Sequence, residues 1–168
     1  MTHHLLPPLL RLLSCLVAVT PLFGCLLASS CTMTQEEAIT PADNLVHVGD
    51  PLPYFEITMN DDSLLKTSDL SGKPTLIVFF STLCKDCQRE LPTLNRRYLD
   101  HAADTTFVAI ARQQTPDVLA DYWAAHQLSL PYSAQPDRSV YHLFARKGIP
   151  RIYISDAHGI VCKVVEAW

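Results

Sequence analysis

The run Thr75–Phe80 is apolar or β-branched throughout and ends four residues before Cys84-Lys-Asp-Cys87. Such a run, with no polar alternation, predicts a parallel strand covered on both faces. After the cysteines, Leu91, Leu94 and Tyr98 recur at spacings of three and four, which predicts a helix over 84–99, kinked by Pro92. A Cys-x-x-Cys pair at a strand-to-helix junction is a particular chemical setting. The first thiol sits at the helix N-terminus, where unpaired N–H groups and the helix dipole favour thiolate. The second thiol is near enough to close a disulfide with it. Of the flanking residues, Lys85 favours the thiolate and Asp86 opposes it. The other readings of such a pair are a structural disulfide and half a zinc site. A zinc site needs four ligands, and no second Cys pair or His-x3–5-His follows.

The first 30 residues have a different character. They carry no acid and a single strong base, Arg11, and from Leu12 to Ser30 there is no charge. This pattern predicts an export signal over 1–30, with a membrane-spanning anchor as the rival reading. Ala28-Ser29-Ser30 before Cys31 resembles a bacterial lipobox, in which the cysteine is acylated. Cys25 is a second candidate, though apolar Leu26 and Leu27 follow it. Polar residues after Cys31 predict a flexible tether over 31–46 and a folded domain over 47–168. An exported chain lives where disulfides persist. With Cys15 and Cys25 in the leader and Cys31 on lipid, Cys84, Cys87 and Cys162 remain, which is no disulfide framework.

With 48% hydrophobic and 18% charged residues the chain is globular rather than disordered. A net charge of −4 and the lack of any basic block beyond Arg96-Arg97 and Arg146-Lys147 argue against nucleic-acid binding. The remaining pattern reads as a short strand over 54–58, a turn at 60–63, and a turn or short helix over 67–72. Next come a strand over 105–111, a helix from Thr115-Pro116 to about His126 and an extended piece at 130–133. A helix capped by Asp137 through Phe144 leads to two strands, 152–155 and 160–165, joined by a tight Asp156…Gly159 turn. This alternation predicts an α/β domain: three layers, α/β/α, around a central mixed sheet.

That order, with Cys84-Lys-Asp-Cys-Gln-Arg-Glu-Leu-Pro92 after the buried strand and Gly148-Ile-Pro150 before the closing hairpin, resembles the thioredoxin fold. More closely it resembles the TlpA/ResA-like branch of exported thiol–disulfide oxidoreductases, which is related to the AhpC/TSA and Redoxin proteins. The segments Val48–Phe55 and Leu70–Phe80 are similar to that branch's opening segment and its entry to the central strand. The segment 107–126 matches its extra strand–helix unit. The chain departs from the branch at Leu83, where Trp is usual, and at Lys85-Asp86, where the dipeptide usually contains proline. It also stops at Trp168, where relatives continue into a further helix, so a closing C-terminal helix is expected to be missing and one sheet face less covered.

The resemblance implies a reductant of protein disulfides. Cys84 would be the attacking thiol, Cys87 the resolving thiol and Pro150 a cis-proline facing them. Ile149 would offer its backbone to an extended substrate, with Leu83, Lys85 and Asp86 around the attacked bond. Glu90, on the face of Cys87, would handle a proton near the buried thiol; a solvated helix acid is its other reading. The implied partners are disulfide-bearing exported proteins and an upstream membrane thiol donor. No cofactor or metal is implied, and the place is the cell envelope, facing the periplasm or the outer surface. Cys162 shares a strand face with Ile160 and Val164 and reads as a small buried hydrophobe. Two rivals remain. A peroxiredoxin shares the fold but needs a proline where Ile77 stands. A non-catalytic binding lipoprotein, such as a copper-delivery protein, would use a Cys-x-x-x-Cys spacing and a later histidine.

Overall fold

The structure is a computed structural model and describes residues 40–166. The expected signal segment, Cys25, the lipidation candidate Cys31 and Trp168 lie outside the described residues.

A five-stranded mixed sheet forms the centre, in the order β5-β4-β3-β6-β7. Its middle strand β3, Thr75–Phe80, is buried at every position. Leu76, Val78 and Phe80 point into one core while Ile77 and Phe79 point into the other. An unbroken apolar run is therefore required here, since each face has its own core and each fully buried large side chain contributes about 1.5–3 kcal/mol. The strand β4, Thr106–Ala111, runs parallel to β3, and the two-residue β5, Tyr132–Ser133, continues the parallel side. On the other side β6, Arg151–Ser155, and β7, Val161–Glu166, are antiparallel. Their turn is built as the sequence predicts: Asp156 Oδ1 accepts from the N–H groups of His158 (2.8 Å) and Ile160 (3.0 Å), and Gly159 takes φ of 78°.

Two helices pack on one face. The helix α1, Lys85–His101, buries Cys87, Leu91 and Leu94. It continues through Pro92, whose missing N–H leaves the carbonyl four residues earlier without its helical donor. The helix α2, Pro116–His126, starts with Pro116 in its first turn, as expected, but Thr115 makes no side-chain cap. Leu119 and Trp123 join the same core, and Trp123 Nε1 donates to Leu130 O at 2.8 Å. The opposite face is covered by the four-residue helix α3, Tyr141–Phe144, and by the hairpin of β1, Glu56–Thr58, and β2, Leu64–Lys66. The three layers are thus helices, mixed sheet, and a thinner layer of α3, hairpin and N-terminal segment.

Four expectations need correction. The helix capped at Asp137 is shorter: Asp137 instead accepts from the N–H (2.8 Å) and hydroxyl (2.8 Å) of Ser139, and this local turn delays the helix to Tyr141. The tether does not reach residue 46. Asp43, Asn44 and Val46 are buried, and the N–H of Leu45 donates to Phe144 O at 2.8 Å. Val46 supplies apolar area that α3 alone is too short to provide. The return strand β2 was not expected, because three residues carry too little pattern. Finally, Cys162 is exposed. The β6–β7 register slips between Ile154 and Ser155, so Ile154 faces Lys163 while Ser155 faces Val161. Cys162 is the extra residue of that bulge, turned out of alternation, and its thiol donates to Ile154 O at 3.2 Å.

The strand β7 runs to the last described residue, so the expected absence of a closing helix falls outside what the structure describes. Beside α1, the β6–β7 end of the sheet carries an open groove of about 300 Å³, floored by Leu76, Ile152 and Val165.

Candidate active site

The C-terminal ends of β3 and β4 meet the N-terminus of α1, and the loop before β6 closes over them. Parallel strands leave a crevice at their carboxyl ends where connections diverge, a usual place for reacting groups. Cys84 is the N-cap of α1, extended at φ −87° and ψ 119°. Its sulfur accepts the N–H of Cys87 at 3.3 Å. It is half-buried, while Cys87 is 1% exposed, and both thiols are free. A sulfur in the N-cap position does what Ser or Asp oxygen usually does there: it meets a helix N–H that has no backbone partner.

This arrangement drives the two thiols apart. The Cys84 pKa is lowered to about 6, first by hydrogen bonding from the Cys87 side chain and then by the backbone N–H groups of Cys87 and Asp86, against a penalty from burial. The nearby Asp86 charge pushes the other way. Asp86 is itself ion-paired to Arg89, one turn on, which draws part of its charge from the thiol. Lys85 is exposed and is not among the groups that hold the thiolate. The Cys87 thiol is pushed well up, first by its hydrogen bond to Cys84 and then by burial, with the Arg112 charge working in the opposite sense. One sulfur is therefore ready to attack and the other is kept protonated.

The Ile149–Pro150 bond is cis, and Ile149 O lies 3.5 Å from Cys84 Sγ, within reach of the protonated thiol. The structure thus brings together Cys84, Cys87, Ile149 and Pro150, which are 62 to 66 residues apart in sequence. Leu83 stands next to the attacking sulfur and is 85% exposed. Glu90 is placed differently. It is half-buried on α1 and lines the open groove with Arg97 and Lys163. Among the described residues, no hydrogen bond joins its carboxylate to either thiol. Helical spacing alone put it on the face of Cys87; one further turn carried its longer side chain toward the β6–β7 end.

What braces the cysteine loop was missed in reading the sequence. Gln114, buried after the end of β4, accepts the Thr82 N–H at 2.7 Å and donates to the Thr82 hydroxyl at 2.5 Å. Gln88 Nε2 donates to Thr82 O at 2.6 Å, and Leu83 N–H donates to Ser81 Oγ at 3.2 Å. Every polar group of Thr82 is thereby held, and the turn that delivers Cys84 is fixed from two elements. The available signal was the position of Gln114, a polar side chain just past a parallel strand adjacent to the one that leads into the cysteines. Among the described residues no group of three or more His, Cys, Asp or Glu side chains gathers as metal ligands would.

Known proteins are similar to this chain in sequence and in fold. The AhpC/TSA family pattern matches residues 48–164. The thiol–disulfide oxidoreductase ResA of Bacillus subtilis is 23% identical over 145 residues, covering 84% of this chain and 81% of that protein. A thiol:disulfide interchange protein of the thioredoxin family from Chlorobium tepidum superposes with a TM-score of 0.62 at 25% identity, over 71% of this chain and 86% of that one. The exposed lipoprotein thioredoxin Etrx1 of Streptococcus pneumoniae shares the fold at a TM-score of 0.61 and 17% identity, over 69% of this chain and 90% of that one. On these grounds the chain belongs to the AhpC/TSA family, as a thioredoxin-fold thiol–disulfide oxidoreductase of the TlpA/ResA-like kind.

Proposed function

We propose that the protein is exported, tethered to the cell envelope by lipid on Cys31, and reduces disulfides in other exported proteins. The observation that carries the chemistry is the N-cap sulfur of Cys84, 3.3 Å from the Cys87 N–H and facing Ile149 O at 3.5 Å. The Cys84 thiolate attacks one sulfur of a substrate disulfide. That S–S bond breaks, the released substrate sulfur takes a proton, and a mixed disulfide joins substrate to Cys84. Cys87 then gives up its proton and attacks the Cys84 sulfur. The mixed bond breaks, the second substrate thiol leaves, and a Cys84–Cys87 disulfide remains. Two electrons have passed from the dithiol to the substrate. A dithiol donor at the membrane must return them.

The direction rests on how far the thiolate is stabilised. The more the reduced form is favoured by a low pKa, the stronger an oxidant the disulfide becomes. A Cys84 pKa of about 6 lies closer to thioredoxin, about 7, than to the strong oxidant DsbA, about 3.5. No histidine stands between the cysteines and Asp86 opposes the thiolate, which favours donation. Equilibration with glutathione is expected to give a potential toward about −270 mV; a value around −120 mV would reverse the direction.

The reading of location rests on the uncharged leader and the Ala28-Ser29-Ser30-Cys31 segment. Asp43 is the first buried residue among those described, and eleven residues of sequence separate it from Cys31. Cys31→Ala is expected to release the protein to the soluble fraction or to block its processing. Retained membrane attachment in Cys31→Ala, together with loss in Cys25→Ala, would move the anchor to Cys25. A peroxidase reading has less support: Ile77, where a peroxide pocket needs proline, is fully buried inside β3.

A further inference from the structure

Arg151 follows Pro150 directly and is fully buried. A guanidinium is costly to bury and is retained only with strong partners. Arg151 Nη1 donates to Asn44 Oδ1, and Nη2 donates to Lys147 O at 2.8 Å. Glu166 Oε1 lies 3.9 Å from Nη1 and accepts from Asn44 Nδ2, so the Asn44 amide stands between cation and carboxylate. Arg151 Nε has no partner among the described residues. Each end of the described chain thus contributes one side chain to this buried group.

The loop before β6 explains what the arrangement does. Three successive carbonyls, of Lys147, Gly148 and Ile149, would otherwise be free to turn. Arg151 takes the first. The Tyr141 hydroxyl donates to the second at 2.8 Å. The third is left facing Cys84 Sγ at 3.5 Å. Two carbonyls held from inside leave the backbone of Ile149 with one orientation, outward toward the attacking sulfur. A hydrophobic residue of similar volume would fill the same space, often without loss of stability, but could not hold Lys147 O.

We propose that Arg151 is a positioning residue for disulfide exchange: through Lys147 O, and with Asn44 as its anchor, it presents the Ile149 backbone to an extended polypeptide bound across Cys84. The inference rests on the reading of the cysteine pair as a disulfide-reducing site. It assigns Arg151 to recognition of the substrate backbone, not to the reactivity of the sulfur. A disulfide with no polypeptide around it gains nothing from the loop.

The test compares two substrates at a temperature where circular dichroism shows each variant folded. One is insulin, a polypeptide disulfide; the other is 5,5′-dithiobis(2-nitrobenzoate), a small one. Arg151→Met is expected to lower kcat/KM on insulin about tenfold, chiefly through KM, as the loss of one oriented hydrogen bond implies. The small disulfide should change by less than about twofold on the same reasoning. Arg151→Lys should recover part of the loss, since its ammonium can still reach a carbonyl. Asn44→Ala should show the same split more weakly, and it carries the test if Arg151→Met does not fold. Equal losses on both substrates, or a lowered melting temperature with both rates intact, would make Arg151 structural only. Wild-type protein that reduces neither substrate would overturn the reading of the site, and this inference with it.

Discussion

Replacing Cys87 by alanine is expected to stop turnover and to leave the substrate joined to Cys84. The first attack needs only the Cys84 sulfur, which stays at the N-cap of α1. Release needs a second sulfur held beside the first. Well-oriented groups in one molecule act at effective concentrations of about 10⁵ M or more, so millimolar thiol in solution is a poor replacement, and a fall in turnover of at least about 1000-fold follows. Alanine is the right substitute because Cys87 lies in an apolar core with Phe80 and Leu91, where a serine hydroxyl would need a partner. The same change has an electrostatic effect. The Cys87 side chain is the largest influence lowering the Cys84 pKa, so trapping in Cys87→Ala should require a higher pH than the wild-type reaction does. Non-reducing electrophoresis with a disulfide-bearing protein checks both statements. A covalent complex lost on reduction, and absent in the Cys84→Ser, Cys87→Ala double variant, is the expected result. Continued turnover by Cys87→Ala would remove Cys87 from the mechanism.

How far the fold could be read from sequence follows from how each element earns its stability. The strand β3 was readable because both its faces are buried, so all six positions had to be apolar or β-branched. The start of α2 was readable because Pro116 constrains φ locally. The β6–β7 turn was readable because Asp156 and Gly159 are needed by the turn itself. The hairpin β1–β2 and helix α3 are too short for a period to show, and they form because the second face of the sheet needs covering. Asn44 and Val46 belong to the same class. Nothing near them in sequence marks them as buried; their partners are Glu166, Arg151 and Phe144, more than a hundred residues away or on another element.

The site divides along the same line. Cys84 and Cys87 were legible because three residues of helix set their geometry. Ile149 and Pro150 were legible only through family resemblance, since local sequence does not say which loop closes over a helix end. Cys162 was misplaced because strict alternation fails at a bulge, and a bulge leaves no mark in the six residues of β7. Gln114 and Arg151 were not found because a buried polar residue is explained by its partner, and the partners, Thr82 and Asn44, are distant in sequence.

Alkylation of Cys84 by limiting iodoacetamide is expected to be half-maximal near pH 6, with Cys87 protected throughout. The pKa of about 6 does not make Cys84 faster at every pH, because a better-stabilised thiolate is a weaker nucleophile. Taking an ordinary thiol at about 8.5 and a Brønsted slope of about 0.45, each Cys84 thiolate is about tenfold less reactive. Near pH 5.5 about a quarter of Cys84 is ionised against about 0.1% of an ordinary thiol, so Cys84 should react about 20-fold faster. At pH 7 the advantage falls to about twofold, and at pH 8 Cys84 should be about threefold slower than free cysteine. The crossing is the diagnostic feature, because a thiol that is only more accessible gains the same factor at every pH. Cys162 is exposed, so the rates are best read in a Cys162→Ser background, with peptide mapping to place the label. A profile that rises only above pH 8, or a label found first on Cys87, would remove Cys84 as the attacking sulfur. A crossing between pH 7 and pH 8 would place the source of reactivity in the N-terminal turn of α1, where the Cys87 side chain and the N–H groups of Cys87 and Asp86 converge on one sulfur.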